Sequence, residues 1–118
     1  MSRELTIGTQ EHTKVLAVDE PEFNANHEYV VESMKEPFGR VLTKISFQKG
    51  PTKEYGFNGI FNEDLLMILI DRLLCLNDSE FVCEENSNAI TKLQEAQMWL
   101  RKRTEDRRNR GVLGRSLE

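Results

Sequence analysis

The sequence predicts an α+β fold: a small antiparallel β-sheet, then a long antiparallel helical hairpin through which the chain oligomerises. Three observations predict it. Short β-rich runs separated by turn residues fill the first half, between Lys14 and Lys49. From Asn62 to Arg110 there is neither proline nor glycine, and apolar residues recur at helical spacing. The second helix of that stretch is also too long for a globule of 118 residues, whose diameter is roughly 35 Å.

The strands come first. Lys14-Val15-Leu16-Ala17-Val18 is short and β-rich, and ends at Asp19-Glu20-Pro21. His27 to Glu32 follows, then the turn Lys35-Glu36-Pro37-Phe38-Gly39. Val41 to Lys49 alternates: Val41, Thr43, Ile45 and Phe47 face one way, Leu42, Lys44, Ser46 and Gln48 the wetter way. Gly50-Pro51 closes it, and one covered face is expected. Residues before Thr13 and after Gly114 are expected to be loosely held.

The helices come next. Asn62 is the expected cap of the first, with Glu63 and Asp64 at the positive end of its dipole. Leu65, Leu66, Ile68, Leu69, Leu73 and Leu76 give it a broad apolar surface. Asn77-Asp78-Ser79 breaks the pattern and is expected to cap the second helix, which runs to Gly111 as its C′ residue. Thirty-odd residues at 1.5 Å each span roughly 45 Å, so the last turns project past the monomer. Ala89, Leu93, Ala96 and Leu100 are then expected against another subunit. The whole chain, 1–118, reads as one domain: sheet over 13–55, hairpin over 62–111, tail over 112–118.

Composition narrows the function. The net charge is −4, yet Arg101 to Arg110 holds six cations against Glu105 and Asp106, a net +4, so the remainder carries −8. A protein that coats long nucleic acid is usually basic throughout. A cationic site on an acidic body favours a compact anion, and no long nucleic acid is expected as a partner. The N-terminus leads into no apolar stretch, which predicts a cytoplasmic chain with Cys75 and Cys83 free and packed as small hydrophobes. The longest apolar run, Leu65 to Ile70, is too short to cross a bilayer, so no membrane partner is expected. With two histidines and no Cys-x-x-Cys, neither a metal site nor a cofactor is expected. No nucleophile–base grouping stands out either, so no catalytic residue is assigned and an enzyme is not predicted.

Binding residues are another matter. Arg103 and Arg107, four apart, stack on one helical face, where two guanidinium forks match phosphate oxygens. The same spacing also suits a solvated helix end, salt-bridged through Glu105 and Asp106 and favoured by the dipole. Asn86 lies 17 residues earlier, about 25 Å away on a straight helix. It therefore belongs to a different pocket, or to one built from two chains. Its amide has the donor and acceptor that a base edge needs. The loop Phe57-Asn58-Gly59-Ile60-Phe61-Asn62-Glu63 resembles a ligand cradle ahead of a helix N-terminus, or else a connection whose aromatics complete the core.

Phe47-Gln48-Lys49-Gly50-Pro51, Glu54, Asn58-Gly59, Asn62-Glu63-Asp64-Leu65-Leu66, Asp71-Arg72-Leu73, Glu85-Asn86, Glu95-Ala96, Trp99-Leu100, Arg103-Thr104, Arg107 and Arg110-Gly111-Val112 form an ordered series. Over roughly residues 27 to 114 it resembles the phage Thoeris anti-defence proteins, which share a helical-hairpin domain with anti-CBASS cyclic-nucleotide sponges. The resemblance implies a non-enzymatic protein in the cytoplasm of an infected bacterium. Its small-molecule partner would be a cyclic nucleotide immune signal of the glycocyclic ADP-ribose type, and CBASS cyclic oligonucleotides would be further cargo. It implies a homo-oligomer, a dimer or in some members a hexamer.

Carried over by position, the family's stacking aromatic falls at Leu76 and its asparagine at Asn86, with the loop residues Phe57 and Asn58 expected beside them. Leu76 departs from the pattern, since an aliphatic chain forgoes about 0.5–1.5 kcal/mol of ring stacking. Arg103 and Arg107 match the cyclic-oligonucleotide contacts. The rival reading is a small phage nucleic-acid-binding or protein-interaction adaptor that uses the basic C-terminal helix.

Overall fold

The computed structural model describes residues 2–8 and 11–111, and confirms the α+β class. The chain divides into two compact units between Ile60 and Phe61.

The first unit is a four-stranded antiparallel meander: β1 (Arg3–Glu4), β2 (Thr13–Ala17), β3 (Glu28–Ser33) and β4 (Val41–Ser46), in that order across the sheet. β2 and β3 pair Val15 with Val31 and Leu16 with Val30, and the core gathers here around Ala17 and Val30. β1 corrects the expectation of a loose N-terminus. Arg3 pairs with Ala17 and Glu4 with Leu16, while Leu5 N–H donates to Val15 O at 2.9 Å. The outer edge of β2 would otherwise present unpaired backbone groups. β4 departs from its expected alternation and ends at Ser46. Val41 and Leu42, on opposite faces, are both exposed, as befits an edge strand.

The β2–β3 connection is pinned by Asp19. Its carboxylate accepts from His27 N–H at 3.0 Å, Glu28 N–H at 3.2 Å and the Asn26 amide at 3.0 Å. Burial works to raise this carboxyl, but those hydrogen bonds outweigh it and hold it below the usual carboxylate value. Within the same connection Phe23 and Asn24 adopt φ of 49° and 72° in a two-residue turn closed by paired Glu22 and Ala25 hydrogen bonds. Asn tolerates that region; a bulky ring does so only under constraint. The constraint is packing: Phe23 meets Tyr55 edge-on at 5.3 Å and His27 at 6.4 Å.

After β4 the backbone makes one more pairing, with Gln48 N–H donating to Ile60 O at 2.8 Å and Ile60 N–H to Ser46 O at 2.9 Å. Between these lies a loop with a short helix, α1 (Thr52–Tyr55), that the sequence did not announce.

The second unit is the expected hairpin, α2 (Asn62–Asn77) and α3 (Glu84–Asn109). Phe61, one residue earlier than expected, is the N-cap of α2. The Asp64 carboxylate reaches back to the Phe61 N–H at 2.8 Å, so the third helical residue supplies the cap that Asn62 was expected to give. Asn77-Asp78-Ser79 does not cap α3 either. Cys83 does, its Sγ accepting Asn86 N–H at 3.4 Å. The polar cluster closes the turn instead: Asn77 accepts Cys83 N–H at 3.1 Å and donates to Ser87 Oγ at 2.9 Å. Both cysteines are free thiols; Cys75 is exposed, contrary to its expected packing. At the far end Gly111 takes φ of 75° and donates to Arg108 O at 3.0 Å, the expected left-handed stop.

Asn86, Ile90, Leu93, Gln97, Leu100, Thr104 and Arg107 form the covered stripe of α3, at alternating spacings of four and three, and Ile90 is its most buried member. Leu93 and Leu100, expected against another subunit, lie half-buried on this stripe with Ile90. Exposed apolar side chains of the hairpin include Met67, Ile68, Leu69, Leu74, Phe81, Val82, Met98 and Trp99. α3 is also shorter than expected, 26 residues against 16 in α2. It is still about 15 Å the longer of the two. No described helix is long and apolar enough to cross a membrane.

Candidate functional site

α3 carries the candidate residues at its two ends. At the C-terminal end the i,i+4 register decides which cations are paired. Arg101 meets Glu105 at 3.2 Å and Lys102 meets Asp106 at 3.0 Å. Both carboxylates therefore serve salt bridges of the helix end, as the alternative reading of this segment expected. Such exposed pairs add little stability, but they neutralise Arg101 and Lys102 locally. Trp99, Lys102, Arg103, Asp106, Arg107 and Arg110 line one depression of about 240 Å³. Arg103 and Arg107 therefore share a concavity, with Arg103 exposed and Arg107 half-buried.

At the N-terminal end Asn86 is half-buried one turn into α3. Its amide donates once, to Phe81 O at 3.3 Å, and among the described residues its Oδ1 accepts no hydrogen bond. A donor and an acceptor remain for a ligand. Leu76 sits half-buried in the last turn of α2, and its carbonyl accepts the Ser79 hydroxyl. The sequence reading missed Phe81. Its ring is 63% exposed, its N–H donates to Ser79 Oγ at 3.1 Å, and its carbonyl holds the Asn86 amide. An aromatic thus stands in the turn beside the candidate asparagine. The available signal was an apolar pair, Phe81-Val82, inside an otherwise polar turn.

Asn86 and Arg103 lie on one unbroken helix, 17 residues and about 25 Å apart. Within a chain they are too far apart to share one pocket.

Phe57 and Asn58 belong to the first unit, Leu76 and Asn86 to the second. Asn58 is a loop clamp. It accepts Lys49 N–H at 2.7 Å and donates to Lys49 O at 2.9 Å. From the other side Gln48 spans the loop, donating to Gly50 O at 3.0 Å and Gly56 O at 2.7 Å and accepting Asn58 N–H at 3.0 Å. Phe57 stands on this clamped loop 83% exposed.

A meander sheet is followed by a two-helix hairpin, and the sequence comparisons identify the class to which such a chain belongs. The chain belongs to the Acb2/Tad1 hairpin-domain family, whose family model matches residues 40–105. It is similar along most of its length to Thoeris anti-defense 1 of Bacillus phage SBSphiJ7, with 42% identity over 126 aligned positions, covering 87% of this chain and 89% of the relative.

Proposed function

We propose that this protein is a phage counter-defence protein that binds and sequesters a cyclic nucleotide immune signal of the glycocyclic ADP-ribose type, and so blocks Thoeris defence without cleaving the signal. The observation that carries the proposal is the 42% identity with Thoeris anti-defense 1 over nearly the whole of both chains. The geometry supports it. Asn86 has an uncommitted donor and acceptor, and it is hydrogen-bonded to the backbone carbonyl of the exposed Phe81. Arg103 and Arg107 face a common groove and take the phosphates of a second cargo, the CBASS cyclic oligonucleotides. A sponge needs affinity and enclosure, with no reacting group.

Enclosure argues for more than one copy. A groove lined by one helix covers only one side of a ligand, whereas small-molecule sites bury most of theirs. The uncovered Met67, Ile68, Leu74 and Met98 supply the apolar surface for a homo-oligomer in the host cytoplasm.

The test is calorimetric titration with glycocyclic ADP-ribose, followed by denaturation and recovery of the ligand. Saturable binding with intact ligand released is the expected result. No heat at high micromolar ligand sinks the proposed cargo, and recovery of a cleaved product refutes a sponge.

A further inference from the structure

The geometry points to Trp99 as the base-stacking surface of the arginine groove, and so to a nucleobase, not phosphate alone, as what that groove recognises. The inference rests on the reading that Arg103 and Arg107 hold phosphates.

Trp99, Arg103, Asp106 and Arg110 follow one another at spacings of four, three and four, which puts them on a single longitudinal stripe of α3. The covered stripe that carries Ile90 lies about a third of a turn around the helix. Trp99 is accordingly not a core residue. It is 61% exposed and lines the groove.

What surrounds it is charged. The lining holds four cations and one carboxylate, and that carboxylate, Asp106, is already paired with Lys102. An indole edged by guanidinium groups attracts a planar, electron-rich ring above its face and phosphate oxygens beside it. The rise from Trp99 to Arg103 is about 6 Å, one helical turn. That is about the reach between a nucleobase and the phosphate of its own nucleotide. A groove for inorganic phosphate would gain nothing from the ring, and an apolar peptide would gain nothing from the guanidinium groups.

Trp99 is the chain's sole tryptophan, so its intrinsic fluorescence reports this position alone. The full-length protein is titrated with cyclic tri-adenylate and, separately, with inorganic tripolyphosphate, following both fluorescence and calorimetric heat. Quenching is expected with cyclic tri-adenylate. Tripolyphosphate is expected to compete for the site without quenching. Trp99→Phe should bind the cyclic nucleotide within about threefold of wild type, and Trp99→Ala about tenfold more weakly, the scale of one lost base-stacking contact.

Saturation without a fluorescence change, or wild-type affinity in Trp99→Ala, overturns the inference while leaving the arginine contacts standing. Absence of any cyclic tri-adenylate binding by the wild type removes the phosphate reading and this inference with it. If both variants sediment as smaller species and lose binding equally, Trp99 is a subunit contact and the assignment is wrong.

Discussion

Gly59→Ala is expected to cost the first unit about 3–5 kcal/mol, for a steric reason that can be worked out atom by atom. A Cβ at Gly59 would sit 2.4 Å from the Phe47 carbonyl carbon, 2.5 Å from its oxygen and 2.7 Å from Gln48 N. All three are backbone atoms, so no side chain can swing aside. The strand end must move, and with it go the Gln48-to-Ile60 and Ile60-to-Ser46 hydrogen bonds at 2.8 and 2.9 Å. Two such bonds are worth about 1 kcal/mol each, and forced overpacking adds about 1–3 kcal/mol. Guanidinium denaturation at fixed protein concentration measures the sum, and hydrogen exchange at the Gln48 and Ile60 amides locates it. A loss below about 1 kcal/mol, with those amides still protected, would refute the claim that backbone contact at this point admits only glycine.

The other expectations concern the two ends of α3, the connection before β3 and the hairpin turn. Reversing charge at both Arg103 and Arg107 should weaken cyclic-oligonucleotide binding by more than about 100-fold, since charge-assisted bonds are worth about 1.5–3 kcal/mol each. Titration calorimetry should show Asn86→Ala leaving that ligand within about twofold; joint loss without unfolding would defeat the two-site reading. Asp19 has a depressed carboxyl, so its contribution is complete above its unfolded value near pH 4 and fades as pH falls through the lower folded value. Thermal melts at pH 7 and pH 3 should therefore show Asp19→Asn destabilised at the higher pH, with the gap narrowing at the lower. Asn77→Ala removes both turn bonds, to Cys83 and Ser87, and should cost about 1–2 kcal/mol. Faster exchange at the Cys83 amide is the local readout.

The hairpin was legible in the sequence because its signals are local: an unbroken run without glycine or proline, a polar break at residues 77–79 and a glycine stop at 111. The sheet was legible in its three longer strands. β1 was not, because two residues carry no periodicity and Arg3–Glu4 forms a strand only by answering the edge of β2. Caps were misplaced for a related reason. A thiol is a weak acceptor that propensity does not flag, and Asp64 caps backwards from within its helix. At the candidate site the spacing of Asn86, Arg103 and Arg107 was readable. The exposure of Trp99 and Phe81 was not, since periodicity identifies apolar residues without saying which a neighbour will cover.

The unbroken course of α3 between Asn86 and Arg103 has a quantitative consequence. A helix without glycine, proline or bulge over that interval has no second arrangement through which one end could inform the other. Two occupants on such a rod should load with the arithmetic of independent compartments. Each chain would then contribute to two sites that fill independently, with a Hill coefficient near one for either cargo. A titrant that filled one end would leave the isotherm of the other unmoved.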